Sequence, residues 1–516
     1  MSDESIRDLH TRRARAYAGG GEARQAKQHE AGKLSARERL ALFFEPDTFQ
    51  EMNLHLRHRA TNFGLGNKEF PGDGVVTGFG SVDQRPVYVA SQDFTVGGGS
   101  VGEGTAHKIV EVMDAALQTG DPFVFINDGG GARIQEGVDA LSGYGDIFYR
   151  NVLLSGVVPQ ISLIMGPCAG GAAYSPALTD FVIMVRGESQ MFITGPKVIQ
   201  EVTGEQIDAE SLGGADAHAQ RSGVAHFVVD DDEQGLELAK RLLSYLPSNN
   251  TEDPPFDPRG FDGEVASDPG LNEIVPDDPR QAYDVRHVIE RALDPGSFLE
   301  IHAQFAGNIV IGLGRLEGRT VGIVANQPMV KAGVLDIDAS GKAARFVRFC
   351  NAFNIPLLTF VDVPGFLPGV QQEQGGIIKH GSKMLFAYAS ATCPKLTVVL
   401  RKAYGGAYLA MCAKSMGADR ICAWPDAEIA VMGAEGAVNI LYRKEIAEAD
   451  DPVAERQARI AEYRELFANP YVAAGRGLVD DVIEPADTRL YLATALQVLR
   501  SKRELRPQKK HGLIQL

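Results

Sequence analysis

Two adjacent glycines late in the chain, Gly405 and Gly406, follow an apolar run over 396–400 that is typical of a buried strand. The residues from Ala407 to Met416 have the composition of a helix. A strand, a glycine corner and a helix in this order leave free backbone N–H groups at the start of the helix. Those donors, aided by the helix dipole, suit an oxygen that carries or develops negative charge. The corner therefore predicts oxyanion binding, although most isolated Gly-Gly pairs only make tight turns.

The same corner occurs earlier in the chain. Residues 159–172 match residues 394–407 at a constant offset in the numbering, which pairs Gly170-Gly171 with Gly405-Gly406. Further matches keep nearly the same offset: Gly78 and Gly80 with Gly312 and Gly314, Pro122 with Pro356, Asp128 with Asp362, and Gly195 with Gly433. A near-constant offset over this length predicts an internal duplication. Two facing donor corners would then hold two oxyanions during one reaction.

Metal and phosphate chemistry find little support in the sequence. It contains no G-x-x-x-x-G-K-[ST] loop, which excludes the usual P-loop ATPase. The five cysteines form no C-x-x-C pair, so neither a zinc ribbon nor a disulfide framework is predicted. The histidines lack metal-ligand spacing, and we interpret five of them as ordinary surface or core residues: His107, His218, His226, His287 and His380. No metal site is predicted.

Length and charge limit the remaining classes. A chain of 516 residues exceeds one ordinary core and predicts two or three domains. The net charge of −16 argues against nucleic-acid binding, which needs a concentrated basic face. No basic-then-apolar leader opens the sequence, and no apolar run approaches the roughly 18 residues that span a bilayer. We therefore expect a cytoplasmic protein without direct membrane insertion.

Short apolar segments alternate with helical ones, which predicts an α/β fold with a largely parallel, buried sheet in each half. Each half begins with a helical lead-in, and the first lead-in is predicted over residues 4–44. Prolines among Asp, Asn and Gly mark a linker between the halves. We predict an N-terminal domain over 1–248, the linker over 249–281 and a C-terminal domain over 282–516.

Long ungapped strings carry a resemblance over nearly the whole chain. They are residues 127–137 (NDGGGARIQEG), 165–171 (MGPCAGG), 360–369 (FVDVPGFLPG), 401–408 (RKAYGGAY) and 509–512 (KKHG). With these strings the chain resembles the carboxyltransferase β subunits of biotin-dependent acyl-CoA carboxylases, close to the propionyl-CoA carboxylase type. The resemblance implies two tandem crotonase-like domains, which agrees with the duplication.

The resemblance also implies a mechanism. Carboxybiotin, carried covalently on a biotin carboxylase or carboxyl-carrier partner, enters a cleft between the N-domain of one subunit and the C-domain of another. CO₂ leaves biotin, the biotin anion takes the α-proton of the acyl-CoA, and the thioester enolate attacks CO₂. The Gly170 and Gly171 amides would hold the thioester oxygen, and those of Gly406 and Ala407 would hold the biotin oxygen. No side-chain base is required.

Further roles follow from the same resemblance. The expected acyl-CoA side consists of Gly129, Gly130, Gly131, Ala132 and Leu409. The expected biotin side consists of Val363, Pro364, Gly365, Phe366, Tyr404 and Gly405. A homo-hexamer of two stacked trimers is expected by analogy alone. Arg133 is interpreted as a member of a structural ion pair rather than a phosphate ligand.

Three departures from the family pattern stand out. Leu409 stands where propionyl-preferring relatives often carry Asp, which leaves acetyl-, propionyl- or longer acyl-CoA open as the substrate. Lys331 replaces a residue that is usually apolar, so we expect it near the surface or in an ion pair. Gly97 and Gly341 also differ from the family pattern, and the sequence offers no physical reason for either.

Two alternatives to a carboxylase subunit stay open. The first is the α subunit of a sodium-pumping decarboxylase, such as methylmalonyl-CoA decarboxylase, which shares the site and runs the transfer in reverse. The second is a non-catalytic scaffold that keeps the fold, which both surviving Gly-Gly corners disfavour.

Overall fold

The computed structural model describes residues 3–261, 263 and 265–514. The chain divides into two compact units, residues 1–252 and 253–516. No helix of the described residues is both long enough and apolar enough to cross a membrane.

The first unit contains one sheet that is mixed at one side and parallel elsewhere. Its strands run in the order β1-β2-β3-β4-β5-β6-β8, with β7 paired to β5 beyond the contact between β5 and β6. The pairs β1–β2 and β2–β3 are antiparallel, and all later pairs are parallel. The strand bounds are β1 (Gln50–Met52), β2 (Val75–Val82), β3 (Arg85–Gln92), β4 (Phe123–Gly129), β5 (Gln160–Ala169), β6 (Phe181–Val185), β7 (Gln190–Phe192) and β8 (Phe227–Val229).

Helices flank this sheet. Their bounds are α1 (Asp3–Tyr17), α2 (Glu22–Glu30), α3 (Ala36–Phe43), α4 (Glu103–Thr119), α5 (Val138–Leu154), α6 (Tyr174–Leu178), α7 (Pro196–Thr203), α8 (Ala209–Gly213), α9 (Ala215–Ala217) and α10 (Asp232–Leu243). Strand β4 is buried along its whole length, as its uniformly apolar start requires of a central parallel strand. Ile109, Met113 and Ile147 of α4 and α5 are fully buried in the same core cluster as Phe123.

The second unit repeats the first, strand for strand. Its order is β9-β10-β11-β12-β13-β14-β16, with β15 paired to β13. The strand bounds are β9 (Leu299–Ile301), β10 (Ile309–Leu316), β11 (Arg319–Asn326), β12 (Leu357–Val363), β13 (Lys395–Tyr404), β14 (Arg420–Ala423), β15 (Glu428–Ala430) and β16 (Asp481–Val482). The identical order, with the same side branch at the corner strand, confirms the predicted duplication.

The helices of the second unit repeat those of the first less closely than the strands do: among the described residues one helix precedes β9 where three precede β1, and two lie between β12 and β13 where α5 lies in the first unit. Their bounds are α11 (Val285–Ala292), α12 (Ile337–Ala352), α13 (Val370–Gly375), α14 (Ile377–Ser390), α15 (Gly405–Ala410), α16 (Ala434–Leu441), α17 (Arg443–Glu448), α18 (Pro452–Leu466), α19 (Pro470–Gly475) and α20 (Thr488–Leu499). A pair of surface helices, α17 and α18, is consistent with the Arg-, Glu- and Ala-rich composition of residues 443–466.

Buried lysines mark the duplication at positions that composition does not reveal. Lys108 of α4 and Lys342 of α12 occupy equivalent positions in the repeat, and each is buried. Lys108 Nζ donates to the carbonyl of Val75 at 2.6 Å, and Lys342 Nζ donates to the carbonyl of Ile309 at 2.8 Å. Lys108 therefore connects α4 to the start of β2, and Lys342 connects α12 to the start of β10. Burial lowers the pKa of Lys108 to about 8 and that of Lys342 to about 7.

Two predicted helices are shorter than the composition indicated. The lead-in breaks into α1, α2 and α3, because Gly19 and Gly21 adopt left-handed backbone and Ser35 starts a new helix with a reciprocal cap to Glu38. The helix predicted from Ala407 to Met416 ends at Ala410. Cys412 has a φ of 63°, which no helix accommodates.

The described residues between 253 and 281 pack against the rest of the second unit. Leu271 is fully buried in its core cluster, and Asn272 donates a hydrogen bond of 2.7 Å to Glu484. Asp257 N–H donates to the carbonyl of Gly318 at 2.8 Å. The proline-rich segment therefore follows a fixed course over the residues that the structure describes.

Candidate active site

The first glycine corner lies at the carboxyl end of β5. The chain turns from Ala169 through Gly170 and Gly171 into a 3-10 turn that precedes α6. Gly170 has a φ of 67°, a conformation that costs glycine far less than other residues. A side chain at either glycine would meet nothing within 4 Å, so the corner borders open space. The first N–H groups of such a turn have no acceptor within the turn itself.

The second corner has the same geometry at the carboxyl end of β13. Gly405 has a φ of 58°, and a side chain there would come within 2.9 Å of the carbonyl oxygen of Val431. Gly406 is exposed, and a side chain on it would meet nothing within 4 Å. Helix α15 begins at Gly405, so the amides of Gly406 and Ala407 have no acceptor within the helix.

The residues predicted for the acyl-CoA side lie beside the first corner, except for Leu409. Strand β4 pairs with β5 through Gly129 and Cys168, immediately before the corner. A side chain at Gly131 would lie 2.9 Å from the carbonyl oxygen of Ala169. Gly130 and Ala132 are exposed. Leu409 belongs to the second unit and is 40% exposed on α15.

The residues predicted for the biotin side lie beside the second corner. Val363, the last residue of β12, pairs with Ala403 of the corner strand. Gly365 has a φ of 153°, and its carbonyl accepts a 3.1 Å hydrogen bond from Leu335 N–H. The Phe366 ring fills the space above Gly381 of α14, where a side chain would come within 2.9 Å of the ring. The loop 363–366 is thereby held in place.

Tyr404 ends the corner strand and is itself buried. Its hydroxyl donates to the carboxylate of Glu428. Burial raises the pKa of Tyr404, and the neighbouring Glu428 raises it further. Burial also raises the pKa of Tyr408, on α15, to about 12. Both phenols are therefore neutral at physiological pH.

Backbone groups dominate the chemistry available at both corners. Residues 167–174 and 402–409 include no histidine, aspartate or glutamate. Lys402 is held by the carbonyl of Pro279 at 2.7 Å, and burial lowers its pKa. Stabilisation of an oxyanion by amide donors stays the prediction for both corners.

Asp128 is a buried carboxylate on β4 behind the first corner. Its Oδ1 accepts from Lys33 Nζ at 2.6 Å, and its Oδ2 accepts from Arg39 Nη1 and Gln28 Nε2, each at 2.9 Å. Arg39 also binds Asp232 at 2.8 Å. Burial acts to lower the pKa of Arg39, but the two carboxylates outweigh it and the pKa is raised. Residues of the helical lead-in therefore bind the carboxylate of β4, the strand next to the corner strand β5.

Asp362 is the equivalent carboxylate on β12. Its Oδ2 accepts from Arg401 Nε and from the Tyr283 hydroxyl, each at 3.0 Å, and its Oδ1 accepts from Lys402 N–H at 3.1 Å. Burial raises the pKa of Asp362, and the Arg401 guanidinium opposes that rise.

Glu188 is a third acidic group, near Asp128 and Asp232. Burial and the charge of Asp232 raise its pKa to about 7, against the opposing effect of Lys33 and Arg39. Its Oε2 atom is buried without a hydrogen-bond partner among the described residues. Glu188 therefore exchanges a proton near neutral pH.

The structure accounts for two of the departures noted in the sequence. Gly97 and Lys331 occupy equivalent turns of the two units, with φ values of 60° and 49°. Lys331 pairs with Asp336 at 2.6 Å and is 53% exposed, which confirms the expectation of a surface or paired lysine. Gly341 lies within α12. Arg133 pairs with buried Asp73 at 2.6 Å and with Glu136, which confirms its structural role.

Residues 97–102 (GGGSVG) also fit the short G-x-G-x-x-G and G-x-S-x-G patterns of dinucleotide-binding enzymes and serine hydrolases. In the structure the Gly98 carbonyl accepts from Gly130 N–H at 2.9 Å. The Ser100 hydroxyl donates to the Gly97 carbonyl at 2.8 Å and accepts from Arg133 Nε at 3.2 Å. This loop therefore supports the residues beside the first corner, and its serine is committed to structural hydrogen bonds.

Sequence reasoning missed several residues behind the corners. Gln92 and Asn326 hold the backbone at Asp128 and Asp362, and Arg39 is one of the two cations of the first cluster. Gln92 and Asn326 are related by the offset of the repeat, which was available as a signal. Nothing in the local sequence of Arg39 shows that it is buried against a partner so far along the chain.

A family model described as "Carboxyl transferase domain" matches residues 27–514. The propionyl-CoA carboxylase carboxyltransferase subunit of Haloferax mediterranei is 58% identical over 100% of this chain and 99% of its own length. The methylmalonyl-CoA decarboxylase subunit alpha of Propionigenium modestum is 56% identical over 100% of both chains.

A solved structure gives the same result for the fold. A crystal structure of transcarboxylase 12S, described as a hexamer assembly with methylmalonyl-coenzyme A and methylmalonic acid bound, superposes with a TM-score of 0.98. The two proteins are 57% identical, and the match covers 100% of this chain and 99% of that one. The match confirms the tandem crotonase-like α/β fold.

Proposed function

The chain belongs to the carboxyl transferase domain family, and we propose that it moves a carboxyl group from carboxybiotin on a partner protein to the α-carbon of a short acyl-CoA. Propionyl-CoA, acetyl-CoA or both are the proposed acceptors. A propionyl-CoA carboxylase subunit, 58% identical over the full chain, supports this choice.

One observation carries the proposal. Each unit has a Gly-Gly corner at the carboxyl end of the equivalent strand, β5 in the first unit and β13 in the second. In each corner the first glycine has a positive φ, and a side chain on the second would meet nothing within 4 Å. The reaction generates two oxyanions, one on the thioester and one on the biotin ring. Two equivalent sets of backbone donors match that requirement, and removing one such donor typically costs about 10²–10³ in rate.

We assign the thioester oxygen to the amides of Gly170 and Gly171, with the loop 129–132 beside them. We assign the biotin oxygen to the amides of Gly406 and Ala407, with the loop 363–366, Tyr404 and Gly405 beside them. A side chain at Gly170, Gly171 or Gly406 would meet nothing within 4 Å, which supports the approach of a ligand to these residues. When bound, biotin supplies the activated carboxyl group, and the residues of this chain bind, orient and stabilise charge.

Partners and setting belong to the same proposal. Biotin is carried covalently on a biotin carboxylase or carboxyl-carrier subunit, and this chain forms a homo-hexameric core, as the transcarboxylase 12S structure is described. A cytoplasmic setting agrees with the five free, buried cysteines, because reducing compartments keep thiols free. No metal is assigned to the site.

The second candidate is the α subunit of a biotin-dependent decarboxylase. A methylmalonyl-CoA decarboxylase subunit alpha at 56% identity favours it specifically. Both enzymes would use the same corners, and the direction of transfer would depend on the partners. Copurification with a biotin carboxylase supports the carboxylase, and copurification with a polytopic membrane subunit supports the decarboxylase.

The test is a carboxylation assay with the purified biotin carboxylase partner, ATP, bicarbonate and acetyl-, propionyl- or butyryl-CoA. We expect carboxylated product with at least one of the first two esters. Free biotin as acceptor from methylmalonyl-CoA provides a partner-independent arm. Absence of transfer in both arms by a correctly folded protein would leave only the scaffold interpretation.

A further inference from the structure

The two strands that lead into the corners, β5 and β13, each have an irregular register with the neighbouring strand. Between Asn127 and Gly129 strand β4 advances by two residues, whereas β5 advances by four, from Ile164 to Cys168. Between Val361 and Val363 strand β12 advances by two residues, and β13 again advances by four. Each corner strand therefore carries a bulge of two extra residues, opposite Asp128 in the first unit and Asp362 in the second.

An amide side chain holds the backbone of each aspartate that lies opposite a bulge. In the first unit Gln92 Oε1 accepts from Asp128 N–H at 3.0 Å, and Gln92 Nε2 donates to the Gly99 carbonyl at 3.0 Å. In the second unit Asn326 accepts from Asp362 N–H at 3.2 Å and donates to the Gly333 carbonyl at 3.1 Å. The two sets of contacts join equivalent positions of the repeat.

The carboxylates themselves face the bulges. Asp362 Oδ1 accepts from the backbone N–H of Lys402, within the bulge of β13. In the first unit a side chain at Gly166 would lie 2.0 Å from Asp128 Oδ1 and 2.6 Å from Lys33 Nζ, so the bulge of β5 packs directly on the ion pair. Arg39 Nη2 also donates to the Met165 carbonyl at 3.1 Å. The carboxylate clusters therefore hold the strand segments that lead to the corners.

The source of positive charge differs between the two units. In the first unit the lead-in supplies it, through Lys33 and Arg39. In the second unit the corner strand supplies it, through Arg401, which occupies the position equivalent to Gly166. Because residue 166 is a glycine, Lys33 of the lead-in has room beside Asp128. In the second unit the arginine side chain at 401 itself supplies the cation for Asp362. The same arrangement around the carboxylate is thus reached from different parts of the chain.

From this arrangement we infer that Asp128 and Asp362 are positioning residues for the two donor corners, each fixing the bulge that sets where the glycine amides emerge. The inference rests on the proposed function of the corners. Gly170 lies four residues after Gly166, and Gly405 lies four residues after Arg401. A shift of either bulge would therefore move the amide donors that follow it. A misplacement of about 1 Å can cost about 10²-fold in rate.

The first test measures local order by amide hydrogen exchange in the full-length protein, without reference to activity. Asp362→Asn keeps the size of the side chain and removes its charge. We expect backbone amides of residues 399–404 to exchange about tenfold faster, with residues 164–169 unchanged. Asp128→Asn should produce the converse pattern. If Asp362→Asn does not fold, Asn326→Ser removes only the amide contact and should give the same local change.

Asp294→Asn provides the matched control. Asp294 is a buried carboxylate of the second unit that pairs with Arg489 at 2.8 Å and accepts from Gly318 N–H at the turn between β10 and β11. It loses the same charge without touching either corner strand. Faster exchange in 399–404 after this substitution, or uniform faster exchange in Asp362→Asn, would overturn the positioning role.

The second test uses transfer from methylmalonyl-CoA to free biotin. We expect Asp362→Asn to raise the KM for biotin about tenfold or lower kcat by up to about 100-fold, with the KM for the CoA ester unchanged. Asp128→Asn should alter the KM for the CoA ester instead. Equal movement of both KM values contradicts the inference. An inactive wild-type protein contradicts the proposed function, and the exchange experiment still decides whether the carboxylates fix the bulges.

Discussion

At the scale of single residues, the chemistry proposed for the corners depends on backbone N–H groups. Side-chain substitution leaves such donors in place, and only proline removes one. Gly406 is suited to this change because it lies in the first turn of α15, where proline is tolerated. A side chain there also meets nothing within 4 Å.

Gly406→Pro should lower kcat for carboxyl transfer by about 10²–10³, since it removes one oxyanion donor. Gly406→Ala is the matched control, because it adds a side chain into open space and keeps the N–H. We expect the alanine variant to retain most of the activity. Steady-state kinetics with methylmalonyl-CoA and free biotin measure both variants, and unchanged turnover in the proline variant would refute the assigned donor.

Leu409 is the residue with the clearest expected effect on substrate choice. It lies on α15, shortly after Gly406, and its side chain is 40% exposed. Leu409→Asp introduces a charge that disfavours a longer apolar acyl chain nearby, so the ratio of kcat/KM for butyryl-CoA to propionyl-CoA should fall about tenfold. Leu409→Met conserves volume and should leave the ratio unchanged. If the aspartate variant keeps the wild-type ratio of kcat/KM for butyryl-CoA to propionyl-CoA, Leu409 does not line the acyl-binding pocket.

Glu188 should make stability depend on pH near neutrality. Its folded-state pKa of about 7 lies above the ordinary value of 4.5, so the folded protein binds an extra proton between those values. Stability from this group is present below pH 4.5 and is lost as the pH rises through 7. Glu188→Gln removes that loss, so its urea midpoint should exceed that of the wild type at about pH 8 and converge with it at about pH 5. A constant difference between the two proteins would contradict the raised pKa.

At the scale of elements, equivalent turns differ in how they achieve left-handed backbone. The first unit uses Gly97, Gly98 and Gly99, and the second uses Lys331, Ala332 and Gly333 at φ values of 49°, 54° and 74°. A left-handed residue other than glycine costs roughly 1–2 kcal/mol. The second turn therefore stores strain beside the strand that leads into the loop 363–366, and the ion pair from Lys331 to Asp336 helps to hold it.

Two glycine substitutions should change the free energy of unfolding in opposite directions. Gly97→Ala places a side chain at a φ of 60° and should destabilise the protein by about 1 kcal/mol. Gly341→Ala lies inside α12, where a side chain meets nothing within 4 Å, and should stabilise it by about 0.5–1 kcal/mol. Urea denaturation measures both. Equal effects of the two changes would contradict the backbone assignments.

Local patterns predicted much of the fold and the corners but little of their support. The apolar run over 396–400 predicted strand β13, and the repeated offset predicted the duplication. The helix expected from Ala407 to Met416 was too long. It ends at Ala410, and helix propensity does not register the left-handed backbone of Cys412. The cluster of Lys33, Arg39 and Asp128 joins residues that lie 89 to 95 positions apart, a separation at which sequence pattern carries no pairing information.

At the scale of the whole molecule, exposed apolar helices remain after both cores are formed. Helix α7 exposes Val198 and Val202, and the equivalent helix α16 exposes Ile440 and Leu441. Several exposed apolar side chains on one helix are often found at contacts between protein chains. In the proposed hexamer these faces would contact other copies of the chain.

Ile440→Glu should therefore weaken assembly, because burying an unpaired carboxylate at an interface is unfavourable. Light scattering after size exclusion should show a mass below six times the 55.5 kDa of the chain. Val498→Glu, on α20, is the control: Val498 is 70% exposed and lies outside both apolar helices. A hexamer that persists in the Ile440 variant would exclude this face from the contact.

The ion cluster behind the first corner has a consequence for synthesis on the ribosome. Its members, from Gln28 to Asp232, all belong to the unit that spans residues 1–252, so they have been translated before the second unit begins. Domains generally fold as units during translation, with the N-terminal one first. The first corner can thus reach its final geometry while the second half is still being made. In the second unit the cation Arg401 lies on the corner strand β13 itself, only 39 positions after Asp362.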